Sequence, residues 1–193
     1  LEETTHSFKE IKGLTYIPDF IEDKQEAGLI NNIDKQPWLT SLQRRVQHYG
    51  WKYDYTARRV DDSMRLAKLP KWLMAYCIKL KENGYFPKIP DQVIINEYQE
   101  GQGITPHIDC VPCFEEYIAS ISLGSSCVMD FIHSNTKQKI PLLLASRSLF
   151  VLSKDARYIW KHGIAKRKTD KINGQVFSRA RRISMTFRNV VIS

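Results

Sequence analysis

His107 and Asp109, near the middle of the chain, have the types and spacing expected of metal ligands. One residue separates them, so on an extended strand both side chains leave the same face and can reach one ion. Two histidines and one carboxylate on one side of an octahedral Fe(II) leave the opposite positions open for a chelating co-substrate and dioxygen. His162, in a later strand-like segment beside Gly163, is the best third ligand. We therefore predict that His107, Asp109 and His162 bind iron and are the catalytic residues.

A chelating co-substrate with a distal carboxylate, such as 2-oxoglutarate, would need a cationic partner, because burying that charge alone is costly. The planar guanidinium of arginine can hold a carboxylate through two parallel hydrogen bonds, which lysine cannot do. Arg182 and Arg188 bracket the segment RISMTFR. Because six residues separate them, both would lie on one face of a strand, with Ser184 and Thr186 beside them.

These motifs, taken in order, resemble the AlkB family of Fe(II)/2-oxoglutarate-dependent dioxygenases. They are HxD at 107–109, a distant histidine before Gly-Ile, and RxxxTFR at 182–188, and the opening segment GLTYIPDF at 13–20 is also similar. The resemblance covers roughly Leu14 to Val191. Its closest match in motif is the AlkB domain of animal tRNA wobble-uridine hydroxylases, together with related bacterial AlkB-like proteins.

The resemblance implies Fe(II), 2-oxoglutarate as co-substrate, and roles for further residues. It assigns hydrogen bonds to 2-oxoglutarate to Asn96 and Tyr98, the carboxylate clamp to Arg182, and a place near the co-substrate and the base pocket to Arg188. Arg181 is the alternative clamp, because a shift of one residue in register exchanges the two faces of a strand.

The activity implied is oxidative dealkylation of alkylated bases in RNA or DNA. Hydroxylation of a modified tRNA uridine and demethylation of a protein lysine are alternatives that keep the same chemistry. A non-catalytic RNA-binding module is the alternative from a different class, although it would not need every metal and co-substrate position.

The charge of the chain favours a polyanionic partner. The chain has 29 Lys and Arg against 21 Asp and Glu, a formal net charge of +8 and a pI of about 9.3, so its surface should attract nucleic acid. We predict that Arg44 and Arg45, with Tyr53 or Tyr55, form a substrate lid, since aromatic rings can stack on a base. Alternatively, Trp51, Tyr53 and Tyr55 form one face of a buried hairpin.

The pattern of apolar residues predicts helices first and strands later. We expect a strand at Leu14–Ile17, a helix that ends before Pro37, a hairpin over Arg44–Tyr55 with Gly50 at its turn, and a helix from Pro70 to about Lys81. Short β-rich runs then follow at 93–98, 105–108, 117–123, 128–132, 139–144, 149–152, 158–162 and 182–191. Many short strands at regular spacing favour a sandwich or jelly roll.

We therefore predict an α+β, mainly β fold, a double-stranded β-helix (jelly roll) with helices packed outside. The chain of 193 residues should be a single AlkB-like dioxygenase domain and a monomer. Residues 1–90 would form an N-terminal extension with helices and lid, and residues 91–193 the jelly-roll core.

The chain lacks a long apolar stretch of the kind that spans a membrane. Residues 1–8 lack the features of a secretory signal and are expected to be a trimmed or fragment end. The four cysteines are too few and too unevenly spaced for a disulfide framework, so we expect reduced thiols and a cytoplasmic location, or a nuclear one in a eukaryote. The CxxC at Cys110 and Cys113 invites a zinc or redox interpretation, which we do not favour because Cys77 and Cys127 show no paired spacing.

Overall fold

A computed structural model describes residues 6–192, which form three helices and thirteen strands. The helices are α1 (Asp23–Asp34), α2 (Lys71–Glu82) and α3 (Lys154–Tyr158). The first six strands are β1 (His6–Ser7), β2 (Leu14–Ile17), β3 (Arg45–Tyr49), β4 (Gln92–Tyr98), β5 (Ile104–His107) and β6 (Ile118–Gly124). The others are β7 (Cys127–His133), β8 (Lys139–Leu144), β9 (Leu149–Leu152), β10 (Trp160–Ile164), β11 (Thr169–Ile172), β12 (Gln175–Ser178) and β13 (Arg182–Arg188).

The strands build two facing sheets and a separate hairpin. The major sheet has the order β1-β2-β9-β6-β13-β4-β3, the minor sheet has the order β5-β10-β7-β8, and β11 pairs with β12. All the pairs are antiparallel. The predicted jelly roll, mainly β with helices outside, is confirmed.

Alternation along β13 shows how the sequence fills both sides of the major sheet. Ile183, Met185 and Phe187 are buried in the apolar cluster that also contains residues of α1 and α2. Their neighbours Arg182, Ser184, Thr186 and Arg188 face the space between the sheets. A second apolar cluster fills the rest of that space with side chains from both sheets, including Phe131, Phe150 and Trp160. The helices therefore cover one face of the major sheet, and the other face remains for the site.

The predicted hairpin over Arg44–Tyr55 is wrong. Its first half is β3, which pairs with β4 of the major sheet, whereas residues 51–65 form a loop with only isolated bridges, such as Trp51 with Arg65. Gly50 makes the turn out of β3 at φ +77°, and a Cβ there would lie 2.0 Å from the Asp91 carbonyl oxygen. The aromatic residues after Gly50 therefore belong to a loop over the sheet edge, which we call the lid loop (residues 51–65).

Two further elements differ from the sequence-based expectation. The run at 158–162 was expected to be one strand, but Tyr158 ends α3 and only Trp160–Ile164 is extended. The hairpin of β11 and β12 was not expected, because its sequence is too polar to show a strand pattern.

No helix among residues 6–192 is both long and apolar enough to cross a bilayer. Of the polar N-terminal stretch at 1–8, residues 1–5 lie outside the described part of the chain.

Candidate active site

The structure brings His107, Asp109 and His162 together at the end of the minor sheet. Their ligand atoms all lie within 4.8 Å of one another. The Nε2 atoms of His107 and His162 are 3.3 and 3.5 Å from the same Asp109 oxygen, Oδ1. An octahedral ion with bonds of about 2.1 Å needs neighbouring ligand atoms about 3 Å apart. The three side chains therefore fit one first-row transition metal ion.

Strand pairing explains why ligands so distant in sequence meet. In the β5–β10 pair, His107 lies opposite His162, and their ring centroids are 4.5 Å apart. The strands approach closely at Gly163, where a Cβ would lie 2.8 Å from the Cα and N atoms of Pro106. A glycine beside His162 is thus required to seat β10 against the strand that carries His107.

Arg188 holds the carboxylate of Asp109 from the side away from the histidines. Its Nε and Nη2 atoms donate to Oδ2 at 2.8 and 2.7 Å, which leaves Oδ1 for the metal. Burial opposes ionisation of Asp109, but the positive charge of Arg188 outweighs it and holds the pKa of this carboxyl well below its usual value. Asp109 is therefore an anionic ligand.

The surroundings of the two histidines suit them to bind a metal. Nδ1 of His107 lies 2.8 Å from the Thr105 carbonyl oxygen, so Nδ1 donates and Nε2 keeps its lone pair for a metal. Burial, helped by the nearby His107, lowers the pKa of His162 to about 3. Nε2 of His107 therefore faces the site, and the buried ring of His162 is neutral.

Arg182 is a buried cation that has no carboxylate partner among residues 6–192. It is 3% exposed, its Nη2 atom donates to Ser122 Oγ at 2.8 Å, and its buried Nε atom has no hydrogen-bond partner. A buried guanidinium without an anionic partner is unfavourable, so an anionic ligand bound beside Arg182 would stabilise it. Arg181, the alternative from the register argument, lies on the other face of the sheet and binds Asp34 and Glu97.

A cavity of about 470 Å³ connects the metal ligands with Arg182. Its apolar walls come from both sheets and include Ile118, Met129 and Phe150. Basic and aromatic side chains line another part of it, namely Arg44, Tyr53, Tyr55, Arg58 and Lys166. The cavity therefore has room for a small dianion and for part of a larger substrate.

Comparison with known proteins agrees with this geometry. Residues 13–188 match the family model of the 2OG-Fe(II) oxygenase superfamily. The chain is an AlkB-like member of that superfamily. Its resemblance to the AlkB family is thus confirmed, and so are its cofactors, Fe(II) and 2-oxoglutarate.

Three relatives of this AlkB-like oxygenase differ in how much of their length it spans. An uncharacterized protein (L905) of Acanthamoeba polyphaga mimivirus is 36% identical over 95% of this chain and 87% of its own length. The Arabidopsis thaliana alkylated DNA repair protein ALKBH8 homolog is 36% identical over 93% of this chain and 59% of its own length. The Xenopus tropicalis tRNA (carboxymethyluridine(34)-5-O)-methyltransferase alkbh8 is 37% identical over 92% of this chain but only 32% of its own length.

A solved structure shows the same fold. The structure of OsALKBH1 superposes with a TM-score of 0.70 and 16% identity, covering 96% of this chain and 99% of the other.

The residues predicted to bind 2-oxoglutarate line one cavity. Asn96 and Tyr98 of β4 face the cavity, whereas Glu97 between them faces the other side of the major sheet, and on β13 Arg182 lies opposite Tyr98 and Ser184 opposite Asn96. The guanidinium carbon of Arg182 lies 5.6 Å from the centroid of the Tyr98 ring. All four side chains therefore line the cavity that also contains the metal ligands.

The structure separates the predicted pair Arg44 and Arg45. Arg44 lines the cavity, and its Nε atom donates to Asn96 Oδ1 at 2.9 Å. Arg45 points to the opposite face, where it binds Glu97 at 2.6 Å and stacks on Trp38. Adjacent strand residues point to opposite faces, so the structure does not bring Arg45 to the cavity and supports a substrate contact only for Arg44.

Tyr53 and Tyr55 lie in the lid loop over the cavity. Their rings pack edge to face with centroids 4.9 Å apart. The Tyr53 backbone N–H donates to Nδ1 of His48 at 3.1 Å. Both tyrosines also line the cavity, so the lid places aromatic faces near the metal ligands.

Arg58 and Lys166 also line the cavity, although the sequence did not single them out as site residues. Arg58 closes the lid loop over the site by donating to the Ile108 carbonyl oxygen at 3.1 Å. Lys166 reaches Gln43 Oε1 at 3.2 Å across the cavity. Neither residue belongs to a sequence motif, because only tertiary folding brings these surface cations to the cavity.

The expectation of four reduced thiols is wrong for Cys110 and Cys113, which form a disulfide. A turn in which the Cys113 N–H donates to the Cys110 carbonyl oxygen brings the two Cα atoms within 5.2 Å, a separation that permits the bond. Cys77 and Cys127 are free and buried, as expected.

Proposed function

We propose that this AlkB-like oxygenase removes alkyl groups oxidatively from bases in RNA or DNA. The observation that carries the proposal is that one cavity joins the metal ligands and Arg182 to cationic and aromatic side chains, including Arg44, Tyr55 and Arg58. Cationic side chains attract a phosphate backbone, and aromatic rings can stack on an extruded base. The name of the Arabidopsis relative, an alkylated DNA repair protein homolog, points to the same substrate class.

The protein residues bind, orient and exclude water. His107, Asp109 and His162 would hold Fe(II), and Arg182 would hold the distal carboxylate of 2-oxoglutarate. When bound, these groups supply the oxidising chemistry: dioxygen is consumed, 2-oxoglutarate becomes succinate and CO₂, and a substrate C–H becomes C–OH. A hydroxylated N-alkyl group then leaves as an aldehyde: the C–N bond breaks, the ring nitrogen takes its electron pair, and the proton of the hydroxyl group moves to that nitrogen.

The target base must leave its stack to reach ligands between two sheets. Extrusion costs a few kcal/mol, and the cost is lowest for damaged or single-stranded bases. The edge-to-face pair of Tyr53 and Tyr55 offers a replacement surface, since stacking on an aromatic ring is worth about 1–3 kcal/mol per base. The proposal therefore favours single-stranded or damaged nucleic acid.

A basic hairpin beside the cavity provides a surface for the strand. Lys166 and Lys168 are exposed at the start of the β11–β12 hairpin, and Arg167 between them binds Asp170. The hairpin is held rigidly, because buried Asp170 binds Arg179 at 2.6 Å and accepts from the Val128 N–H. These lysines can therefore bind phosphates without the entropy cost of ordering a loop.

The test is an incubation with Fe(II), 2-oxoglutarate and methylated or unmethylated oligonucleotides, with succinate and formaldehyde measured together. The proposal predicts both products in equal amounts with methylated oligonucleotides only, and neither product with an Asp109→Ala variant. Formation of succinate at the same rate whether or not the base is methylated, without formaldehyde, would overturn it.

The basic hairpin is tested by the salt dependence of oligonucleotide binding. Replacing Lys166 and Lys168 together by Ala should weaken binding and reduce the salt slope by about 0.7 for each lost contact to a single strand. The matched control replaces Lys24 and Lys35, which are exposed on or beside α1 and so lie across the major sheet from the cavity. Equal loss in the two double variants would contradict a specific surface.

A second candidate reaction is hydroxylation of a modified tRNA uridine, which the name of the Xenopus relative favours. That reaction inserts oxygen into a C–H bond without releasing an aldehyde. Succinate formed only with modified tRNA, with hydroxylated nucleoside but no formaldehyde, would replace the first proposal by this one. A methylated lysine peptide in the same assay tests protein demethylation.

A further inference from the structure

Arg157 is among the largest fully buried side chains of the described residues, with 2% exposure. It lies in α3, which leads directly into β10, the strand that carries His162. No carboxylate among residues 6–192 forms an ion pair with it. A buried cation without an anionic partner needs another explanation.

The guanidinium of Arg157 binds four backbone carbonyl oxygens of one loop. Nη1 donates to Asp109 at 3.0 Å, Nη2 donates to Cys110 and Phe114 at 3.2 Å each, and Nε donates to Glu115 at 3.3 Å. Burial lowers the pKa of Arg157, but a guanidinium stays protonated in proteins. The Arg157 guanidinium therefore links residues 109–115 to α3, the helix that precedes His162.

Asp109 needs this support because the strand ladder ends before it. The last residue of β5 is His107, which pairs with His162, so the β5–β10 hydrogen bonds fix that histidine but not the carboxylate two residues later. The side chain of Asp109 is held by Arg188, and its main-chain carbonyl is held by Arg157. The bond from Arg157 connects the main chain of Asp109 to α3, the helix that leads into the strand carrying His162.

We propose that Arg157 is a positioning residue of the iron site, which sets the main chain of Asp109 relative to His162. It touches none of the reacting groups. An apolar side chain of similar volume would avoid the desolvation of a charge, but it would remove the Arg157 donors from the Asp109, Phe114 and Glu115 carbonyls and the link between the Asp109 main chain and α3. The inference concerns metal binding and does not depend on the identity of the substrate.

The experiment compares two buried arginines in the metal-free protein. Arg157→Met removes the bonds to the loop. The matched control is Arg179→Met, because Arg179 is also buried, at 6% exposure, but binds Asp170 in the β11–β12 hairpin. The affinity for Mn(II) is measured by calorimetry, the thermal midpoint Tm of each variant is recorded, and amide hydrogen exchange reports on residues 110–115.

The proposal predicts that Arg157→Met weakens Mn(II) binding about 10–100-fold, the range seen when partners of metal ligands are removed. Amides at 110–115 should exchange faster in this variant. Arg179→Met should lower Tm without changing either readout. Arg157→Lys keeps the charge but not the planar fork, so its affinity should lie between those of the wild type and Arg157→Met.

Two results would overturn the proposal. One is wild-type affinity for Mn(II) in Arg157→Met. The other is an equal loss of affinity in Arg157→Met and Arg179→Met, because it would show that general destabilisation is responsible. If Arg157→Met does not fold, Arg157→Lys and Arg179→Lys decide the question by the same comparison.

Discussion

Arg188 binds Oδ2 of Asp109 through two nitrogen atoms, at 2.8 and 2.7 Å, while Oδ1 of the same carboxylate faces both histidines. One carboxylate therefore has one oxygen for the protein and one for the metal. This division fixes the orientation of the aspartate before any ion arrives, which lowers the cost of binding it.

Replacing Arg188 by Ala should weaken metal binding about 10–100-fold. The reason is that the Asp109 carboxylate loses the cation that orients it and keeps it ionised. Titration of the metal-free protein with Mn(II) measures the effect, and Arg59→Ala, at an exposed position, is the control. An Arg188→Ala variant that binds Mn(II) as tightly as the control would show that Asp109 needs no such support.

Replacing Arg182 by Met should raise the Kd for 2-oxoglutarate by at least about 30-fold, because a buried charge pair is worth 2 kcal/mol or more. Mn(II) affinity should be unchanged, since Arg182 does not contact the metal ligands. Calorimetry with 2-oxoglutarate and Mn(II) measures both constants. The neighbouring Arg181→Met loses its bonds to Asp34 and Glu97 on the opposite face, so it should keep the wild-type Kd. A reversal of the two results would assign the clamp to Arg181.

Replacing Arg44 by Ala should weaken binding of 2-oxoglutarate or oligonucleotide by about tenfold, since it removes a charged hydrogen bond worth about 1.5–3 kcal/mol from Asn96. Arg45→Ala loses its contacts with Glu97 and Trp38 instead, so it should lower Tm and leave both affinities intact. Binding by fluorescence anisotropy and calorimetry distinguishes them. Equal loss of affinity in the two variants would be inconsistent with the placement of their side chains on opposite faces.

His48 makes the stability of the protein depend on pH. Burial, with smaller contributions from Lys52 and Arg188, lowers its pKa from 6.5 to about 4. Only the neutral ring can accept the hydrogen bond from the Tyr53 N–H. The stabilisation is therefore complete above pH 6.5 and is lost as the pH falls toward 4.

Between pH 7 and pH 5, the wild type should lose about 1–2 kcal/mol more unfolding free energy than His48→Gln, whose side chain does not titrate. Urea denaturation of the metal-free proteins at both pH values gives the difference. His162 also has a lowered pKa, and its contribution cancels because both proteins contain it. Identical pH dependence would mean that His48 does not titrate as the structure requires.

The sequence predicts the metal ligands well because their constraint is local. The HxD spacing sends His107 and Asp109 to one face of an extended segment, and the alternation in RISMTFR sends Arg182 and Arg188 to one face of β13. Period-two patterns of this kind hold wherever the backbone is extended. The strands that carry these residues were accordingly found within a few residues of their observed bounds.

Residues whose positions depend on tertiary contacts could not be predicted in this way. Arg45 was grouped with Arg44 because the two are adjacent, although adjacent strand residues face apart. The lid loop resembled a hairpin strand because Trp51, Tyr53 and Tyr55 alternate, but β4 already pairs with β3 and β13. Arg157 gave no signal, since its partners are backbone carbonyls and these have no sequence pattern.

Three side chains from two distant segments are placed to hold one ferrous ion beside an arginine that would bind 2-oxoglutarate. Anaerobic titration of the metal-free protein with Fe(II) in the presence of 2-oxoglutarate tests this arrangement, followed by the visible charge-transfer absorption of an α-keto acid chelated to Fe(II). We expect saturation at one Fe(II) per chain in the wild type and no such absorption in His162→Ala. The same absorption in both proteins, or none in the wild type, would contradict it.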